Sequence, residues 1–339
     1  MKILAYILGG LVVVAVVVFG GAFVWLGSVD WNDYKPEIAE AAREATGREL
    51  AIDGDLSVDL STGLELKFAA GGIRFANAEG AAPADMVTVA SVTGQVQLLP
   101  MLLSGAMVID RFVVQEPVIN LAVDKTGKAN WDFGDKARDR GDREHHGDGD
   151  MSLSGLRLAD VRIEKGKFGF ANATTGQTVA ASDITVKVTL EDLASPLNVA
   201  GGLVLNNEPV TLKVTMDTPE GMLKGSNATV QAALNTKRVT ATYDGRVRSE
   251  PTPGLEGEFL LDIASVGKLA AWLDRPLDKQ QRDPGPLKVV ATMASDGEKA
   301  ILKQASITGK AIKAKASGSF QAEDETPRFD IKVDVLEAN

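Results

Sequence analysis

Residues 50–68 read LAIDGDLSVDLSTGLELKF, and apolar and polar side chains alternate within this stretch. From Ile52 to Leu60 every second residue is aliphatic or glycine, and the residues between are Asp or Ser. The alternation resumes from Leu64 to Phe68, where Glu and Lys fill the intervening positions. Because successive side chains of a strand point to opposite faces of its sheet, this pattern predicts antiparallel strands with one apolar face and one solvated face.

The same alternation recurs along the chain, at residues 184–190, 212–216, 239–243, 259–263 and 329–335. Turn-forming pairs such as Asn206-Asn207, Asp244-Gly245 and Asp296-Gly297 lie in the predicted gaps. The sequence therefore predicts a mainly β fold with roughly 16 to 18 strands, most of them consecutive in a long antiparallel meander.

Two short helices are predicted beside the strands. The first is amphipathic and runs between residues 30 and 47, with Asp30, Asn32 and Asp33 as candidate caps and Gly47 at its C-terminal end. It is the only clear helix for about 200 residues. The second covers residues 266–273, with Ser265 as its cap.

An uncharged, valine-rich run occupies residues 3–26. As a helix it measures about 36 Å, which exceeds a hydrocarbon core of about 30 Å. Lys2 precedes the run, and Asp30 and Asp33 follow it, so the N-terminus is expected in the cytoplasm and the residues after about 28 outside. We interpret residues 1–28 as a single-pass transmembrane anchor. A cleaved signal peptide ending near Gly20 and Ala22 is the main alternative, and a buried strand is a weaker one.

Composition excludes several classes of protein. The net charge of −10 argues against a broad nucleic-acid interface, which needs clustered Lys and Arg. The chain has no cysteine, so it carries neither disulfides nor a thiol-based metal or redox site. Its two histidines, His145 and His146, lie in the charged segment 135–150, which we predict to be a flexible linker. We therefore expect no enzymatic activity and assign no catalytic residue, metal or cofactor.

A four-residue motif occurs twice. Phe75-Ala76-Asn77-Ala78 returns as Phe170-Ala171-Asn172-Ala173, and each copy is followed by a candidate strand. The repeat suggests a sheet extended by repetition of one hairpin-rich unit.

Residues 30–134 resemble a known family. The resemblance begins with DWNDYKPEI at 30–38, ATGR at 45–48 and IDGDL at 52–56, and it closes with QEPVINL at 115–121 and GKANWDF at 127–133. In this order the motifs resemble the AsmA family of bacterial envelope proteins. The positions that carry the family pattern are Asp30, Tyr34, Gly47, Arg48, Gly54, Asn130 and Trp131.

The resemblance implies a bacterial inner-membrane protein whose periplasmic part is a folded-over, taco-like β-groove. Family members are regarded as bridge-like carriers of phospholipid that affect outer-membrane assembly, and outer-membrane or envelope proteins are candidate partners. The expected organisation is an anchor at 1–28, an AsmA-like β domain at 29–134, a linker at 135–150 and a continuing β-groove at 151–339. The chain is shorter than usual for the family, so it is either a short member or an N-terminal fragment.

A lipid groove needs an apolar lining, and the alternation of apolar and polar residues along the predicted strands indicates which residues form it. The predicted lining is Leu56, Leu66, Phe68, Phe75, Val96, Ile184, Val186 and Val188. Three alternatives stay open: the apolar faces pack together as an ordinary β-sandwich core, the chain is an envelope adaptor that binds a partner through an exposed strand edge, or it is an enzyme.

Overall fold

A computed structural model describes residues 29–61, 63–133, 155–249, 252–278, 280, 282–296, 299–321 and 328–338. The predicted membrane helix, the whole predicted linker and both histidines lie outside these residues. Within the described ranges, no helix combines the length and the apolar character needed to cross a membrane.

The fold is mainly β, as predicted, with 17 strands among the described residues. Among the described residues, every assigned register between neighbouring strands is antiparallel. In chain order the strands are β1 Leu50–Ile52, β2 Leu56–Leu60, β3 Glu65–Ala76, β4 Asp85–Gln97, β5 Val108–Gln115, β6 Val118–Val123, β7 Arg157–Asn172, β8 Gln177–Leu190, β9 Leu197–Leu205, β10 Glu208–Met216, β11 Asn227–Asn235, β12 Val239–Arg248, β13 Gly254–Ile263, β14 Leu287–Ser295, β15 Lys299–Gly309, β16 Ile312–Gln321 and β17 Arg328–Ala338.

Both predicted helices form. A 3₁₀ turn at Trp31–Tyr34 leads into α1, Lys35–Thr46, and the Asp30 carboxylate accepts the Asn32 N–H as the cap of that turn. Gly47 ends α1 with φ of 71°, a left-handed conformation that favours glycine. Two further short helices, α2 at Leu98–Ser104 and α3 at Pro219–Leu223, were not predicted. The last helix, α4, spans Val266–Trp272, and the Ser265 hydroxyl caps it as expected.

The predicted turn at Asp244-Gly245 was wrong, because both residues lie inside β12. Gly245 faces Gly257 of β13, and a Cβ built on Gly245 would approach the Gly257 Cα to 2.6 Å and the Tyr243 hydroxyl to 2.6 Å. Gly245 is needed here because the two strands and the Tyr243 ring approach one another closely. An Asp-Gly pair in the sequence does not show whether the glycine belongs to such a contact or to a turn.

The chain divides into two compact units. Unit 1 comprises Met1–Gly155 and Phe168–Val179, and unit 2 comprises Leu156–Lys167 and Ala180–Asn339. In unit 1, β3 pairs with both β1 and β2, β4 pairs with β3, and β5 and β6 pair with β4. The step from β1 to β2 occurs at Gly54, whose N–H donates to the Gly71 carbonyl at 2.9 Å. A Cβ on Gly54 would lie 2.7 Å from the Gly71 carbonyl carbon, so the two backbones meet only because this residue is glycine.

Unit 2 is a regular meander. Each strand from β8 to β17 pairs antiparallel with the next one in sequence. Bulges interrupt the register near Ser182, Thr292, Leu302 and Lys313. Because directly opposed residues point to the same face, these registers determine which side chains share a surface.

Candidate functional site

One face of the unit 2 sheet is apolar from β8 to β17. Reading across the registers, opposed residues at its centre are aliphatic or aromatic on strand after strand. One such row contains Val186, Gly201, Leu212, Leu234, Ala241, Leu261, Val289, Ile307, Ala314 and Val335. This face carries the alternation that the sequence predicts.

The opposite face is mostly polar. On it, Lys213 faces Ala200 and Ala233, Asp244 faces Gln231 and Glu258, and Lys315 faces Ser306 and Asp334. The two faces also differ in exposure on β8, where Ile184, Val186 and Val188 are half-buried while Thr185 and Lys187 are exposed. The structure therefore separates these three predicted lining residues from the polar residues between them.

The apolar face is covered most at its two ends. At one end α4 is hydrogen-bonded to the β9–β10 turn. The Trp272 indole N–H donates to the Leu205 carbonyl at 3.1 Å, and the Asn206 amide donates to the Trp272 carbonyl at 2.7 Å. Val210, Val239 and Ile263 are buried at this end. At the other end the Glu220 N–H of α3 donates to the Leu193 carbonyl at 2.9 Å.

Between these ends the larger apolar side chains keep contact with solvent, while the small side chains of Ala291 and Ala305 are buried. Val199, Leu234, Leu261 and Ile307 are only half-buried, and Leu212 is 41% exposed. A side chain at the centre of a two-layer core is normally buried, so this stretch has the exposure of a surface.

In unit 1 four predicted lining residues share a face. Leu66 of β3 is opposite Val96 of β4, Phe68 is opposite Gly94, and Leu56 of β2 is opposite Ala70. The ring of Phe68 covers Gly94, where an added Cβ would lie 2.1 Å from the Phe68 Cζ atom. The ring also lies 6.3 Å from that of Phe112 on β5. These residues form a small aromatic and aliphatic patch.

The remaining predicted lining residue, Phe75, belongs to another group. It is opposite Leu50 and Val87, and it is an odd number of residues from Phe68 along β3, so simple alternation assigns it to the other face. Its ring makes an edge contact with Phe133 at 6.0 Å. Phe75 thus packs beside a polar cluster that contains several family-pattern residues.

That cluster joins Gly47, Arg48 and Asn130, which are distant in sequence. Gly47 ends α1 and turns the chain so that the next residue reaches the end of β6. The Arg48 Nη2 atom donates to the Asn130 carbonyl at 2.8 Å, and the guanidinium carbon lies 5.5 Å from the centre of the Phe133 ring. A cation over an aromatic face at this distance is attracted by the ring quadrupole.

Asn130 is 4% exposed, and its side chain is fully used. Its amide donates to the Asn120 carbonyl at 2.8 Å and to the Asn77 Oδ1 atom at 2.9 Å, while its own Oδ1 accepts the Ala122 N–H at 2.9 Å. Asn77, 7% exposed, donates in turn to the Pro83 carbonyl at 2.9 Å. The two asparagines therefore connect the β3–β4 loop with the segment after β6.

Asn77 was not among the predicted site residues. The signal that could have found it is the repeated Phe-Ala-Asn-Ala motif, because residues 76–78 and 171–173 line the same concavity. This concavity in unit 1 has a volume of about 1270 Å³. Its walls are the end of α1, the β3–β4 loop, the end of β6 with the turn that follows, and the β7–β8 hairpin.

Other family-pattern residues serve the scaffold. Hydrogen bonds from Asn32 lower the pKa of the Asp30 carboxyl at the start of the 3₁₀ turn. Tyr34 stacks obliquely on Trp31, with the ring centroids 5.5 Å apart. Trp131 is 40% exposed and lies 6.3 Å from the Phe170 ring. None of these three lines the concavity.

The chain matches the model of a known family. The model of the AsmA family matches residues 1–262, which extends well beyond the motifs at 30–134. Neither the curated proteins nor the solved structures contain a match to the chain.

Proposed function

We propose, from the premise that this chain belongs to the AsmA family, that it is a phospholipid carrier of the bacterial envelope. Membership of the family indicates an envelope-related role. In the proposal, residues 3–26 anchor the chain in the inner membrane, residues after about 28 lie in the periplasm, and the β-rich part moves phospholipid towards the outer membrane and supports its assembly. The proposal includes no catalytic step, metal or cofactor.

The observation that carries the proposal is the apolar face of unit 2, defined by the row from Val186 to Val335. It crosses ten consecutive strands, β8 to β17, and its larger central side chains are half-buried or exposed, while Ala291, Ala305 and Ala314 are buried. An apolar surface of that extent in water marks an interaction site. We propose that this surface lines a folded-over, taco-like groove.

Acyl chains fit such a surface energetically. Each methylene that leaves water contributes about 0.8 kcal/mol, so a chain of about 15 methylenes gains on the order of 10 kcal/mol before ordering costs. The lining offers few hydrogen-bonding groups to fix one position. A lipid on this surface is therefore expected to slide along it while its headgroup stays in water.

The predicted lining residues enter the proposal in three groups. Ile184, Val186 and Val188 belong to the unit 2 face, and Leu56, Leu66, Phe68 and Val96 form the unit 1 patch. Phe75, which packs beside the Arg48 cluster, is proposed to contact lipid near that cluster.

The test uses two adjacent residues of β10 that point to opposite faces. Leu212→Asp places a charge on the apolar face at a position that is already 41% exposed, so folding should survive. Lys213→Asp is the matched control on the polar face. Phospholipid that co-purifies with the detergent-solubilised full chain should fall by more than half in Leu212→Asp and stay at the wild-type level in Lys213→Asp. Equal lipid content in wild type and Leu212→Asp would overturn the proposal.

A second candidate function is favoured by β17. All residues of this strand are exposed, including Phe329 at 62%, Ile331 at 57% and Val335 at 56%. Among the strand registers described, it pairs with β16 alone. An exposed apolar strand edge is a template for strand addition, so an envelope adaptor that captures a partner's strand is the alternative.

The two functions respond differently to the same change. Val333→Pro removes a backbone donor from β17 and obstructs strand addition without altering the centre of the apolar face. The carrier proposal predicts unchanged lipid content in this variant. The adaptor function instead predicts loss of a protein crosslink made from a photoreactive residue at position 331.

A further inference from the structure

Arg48 lines the concavity and carries a buried donor without a partner. Arg48 Nη1 is buried and has no hydrogen-bond partner among the described residues, although Nη2 of the same guanidinium is paired with Asn130. A buried polar group left without a partner costs about 1–3 kcal/mol, and a charged one costs more. This geometry calls for an acceptor, and a negatively charged oxygen suits a guanidinium best.

Arg48 is held in position before any ligand arrives. The Asn130 carbonyl fixes one end of its guanidinium, and the Phe133 ring lies beneath the plane at 5.5 Å. Asn130 itself is immobilised by its bonds to Asn77, Asn120 and Ala122. A preorganised donor loses little conformational entropy on binding, which favours recognition of an anion.

The walls leave space for more than a small ion. Eleven of the 24 lining residues are alanine or glycine, including Ala78, Ala122, Ala129 and Ala173, and the concavity reaches about 1270 Å³. That exceeds the roughly 300–1,000 Å³ of ordinary small-molecule sites. The space accommodates a headgroup together with the glycerol end of a lipid.

The rim has the opposite charge from Arg48. Glu49, Glu79 and Asp124 line the concavity as exposed carboxylates, and Lys128 is a cation on the same rim. The Thr126 hydroxyl and the Lys128 N–H donate to Asp124 and lower its pKa, so this carboxylate stays ionised at neutral pH. An acidic rim repels a purely anionic ligand and attracts one that also carries a cation.

We propose that this concavity binds a zwitterionic phosphoethanolamine-type headgroup, with its phosphate on Arg48 and its ammonium among the rim carboxylates. The inference rests on the proposed lipid-carrier function and gives that function headgroup selectivity. Unit 2 then holds acyl chains without regard to headgroup, while unit 1 discriminates between lipids.

The test measures binding of water-soluble dihexanoyl lipids to the full-length protein by isothermal titration calorimetry. The probes are dihexanoyl-phosphatidylethanolamine, dihexanoyl-phosphatidylglycerol and inorganic phosphate. We expect the ethanolamine lipid to bind at least fivefold more tightly than the glycerol lipid and at least tenfold more tightly than phosphate. Equal affinity for the two lipids would overturn recognition of the ammonium, and tight binding of phosphate alone would identify a free-phosphate site instead.

Two variants assign the binding to Arg48. Arg48→Gln should weaken binding of the ethanolamine lipid at least tenfold. Arg74→Gln removes an exposed arginine that is paired with Asp53 outside the concavity, and it should leave this binding unchanged. Unchanged affinity in a folded Arg48→Gln protein would overturn the site. If Arg48→Gln fails to fold, Ala81→Phe fills the concavity while leaving the guanidinium in place, and it must weaken binding as well.

Failure here is distinguishable from failure of the carrier proposal. If only the headgroup site is wrong, Leu212→Asp still removes co-purifying phospholipid and Arg48→Gln has no effect on short-chain lipid binding. If the carrier proposal is wrong, Leu212→Asp leaves the lipid content unchanged.

Discussion

Replacement of Asn77 by alanine should destabilise unit 1 strongly, because its side chain is buried and makes three hydrogen bonds. Its Oδ1 accepts the Ala78 N–H at 2.8 Å and an Asn130 amide proton at 2.9 Å, and its Nδ2 donates to the Pro83 carbonyl at 2.9 Å. Asn77→Ala removes all three hydrogen bonds, and water cannot readily replace them because the position is only 7% exposed. At about 1 kcal/mol for each unmet group, the expected loss is about 3 kcal/mol.

The repeated motif supplies a matched control. Asn172 holds the same place in its Phe-Ala-Asn-Ala copy, but its side chain accepts hydrogen bonds from Thr174 and Thr175 in an exposed turn. Water can replace those bonds, so Asn172→Ala should cost less than about 1 kcal/mol.

Hydrogen exchange followed by mass spectrometry separates the two variants, since peptides from β3, β4 and β6 report on unit 1 alone. A loss of about 3 kcal/mol corresponds to roughly 100-fold faster exchange through unfolding of these strands, against less than about fivefold for Asn172→Ala. Equal acceleration in both variants would refute the reasoning that burial gives Asn77 its importance.

Two further predictions concern packing and protonation. Gly94→Ala should lower the free energy of unfolding, measured in urea, by about 1–3 kcal/mol, because its Cβ would lie 2.1 Å from the Phe68 ring. The same change should cost almost nothing in a Phe68→Ala background. An equal cost in that background would disprove the clash. Asp283 accepts a hydrogen bond from the Ser265 hydroxyl, which lowers the pKa of its carboxyl below the usual value. Its stabilising contribution is therefore complete above about pH 4 and is lost as pH falls through the folded-state pKa. The midpoint of urea unfolding should decrease below pH 4 in wild type and decrease less in Asp283→Asn. Parallel plots of midpoint against pH for the two proteins would contradict this.

The apolar face could be predicted from sequence because side-chain alternation is a local property of each strand. Ile184, Val186 and Val188 are set apart from Thr185 and Lys187 by the period of the strand itself. The ends of α1 and α4 were also predictable, since Asp30, Gly47 and Ser265 act through their own backbone neighbours.

Features that depend on exposure or on distant partners were not predictable in this way. Helix α2 escaped prediction because its leucines leave no polar face, and the structure exposes Leu102 by 61% and Leu103 by 77%. The Arg48–Asn130 contact joins residues 82 positions apart, which no local pattern encodes. Phe75 is out of phase with Leu66 and Phe68 along β3, and its surroundings are set by Phe133, which comes from the segment after β6.

The central claim is that phospholipid lies on the apolar face of unit 2, and β8 offers its most direct test. A photoreactive amino acid is placed singly at positions 184 to 188 of the full chain in cells whose phospholipid is labelled. The account predicts lipid adducts from positions 184, 186 and 188 and none from 185 and 187, because the first three share the apolar face and the other two are exposed on the polar one. Adducts from neither set, or from both sets equally, would contradict it.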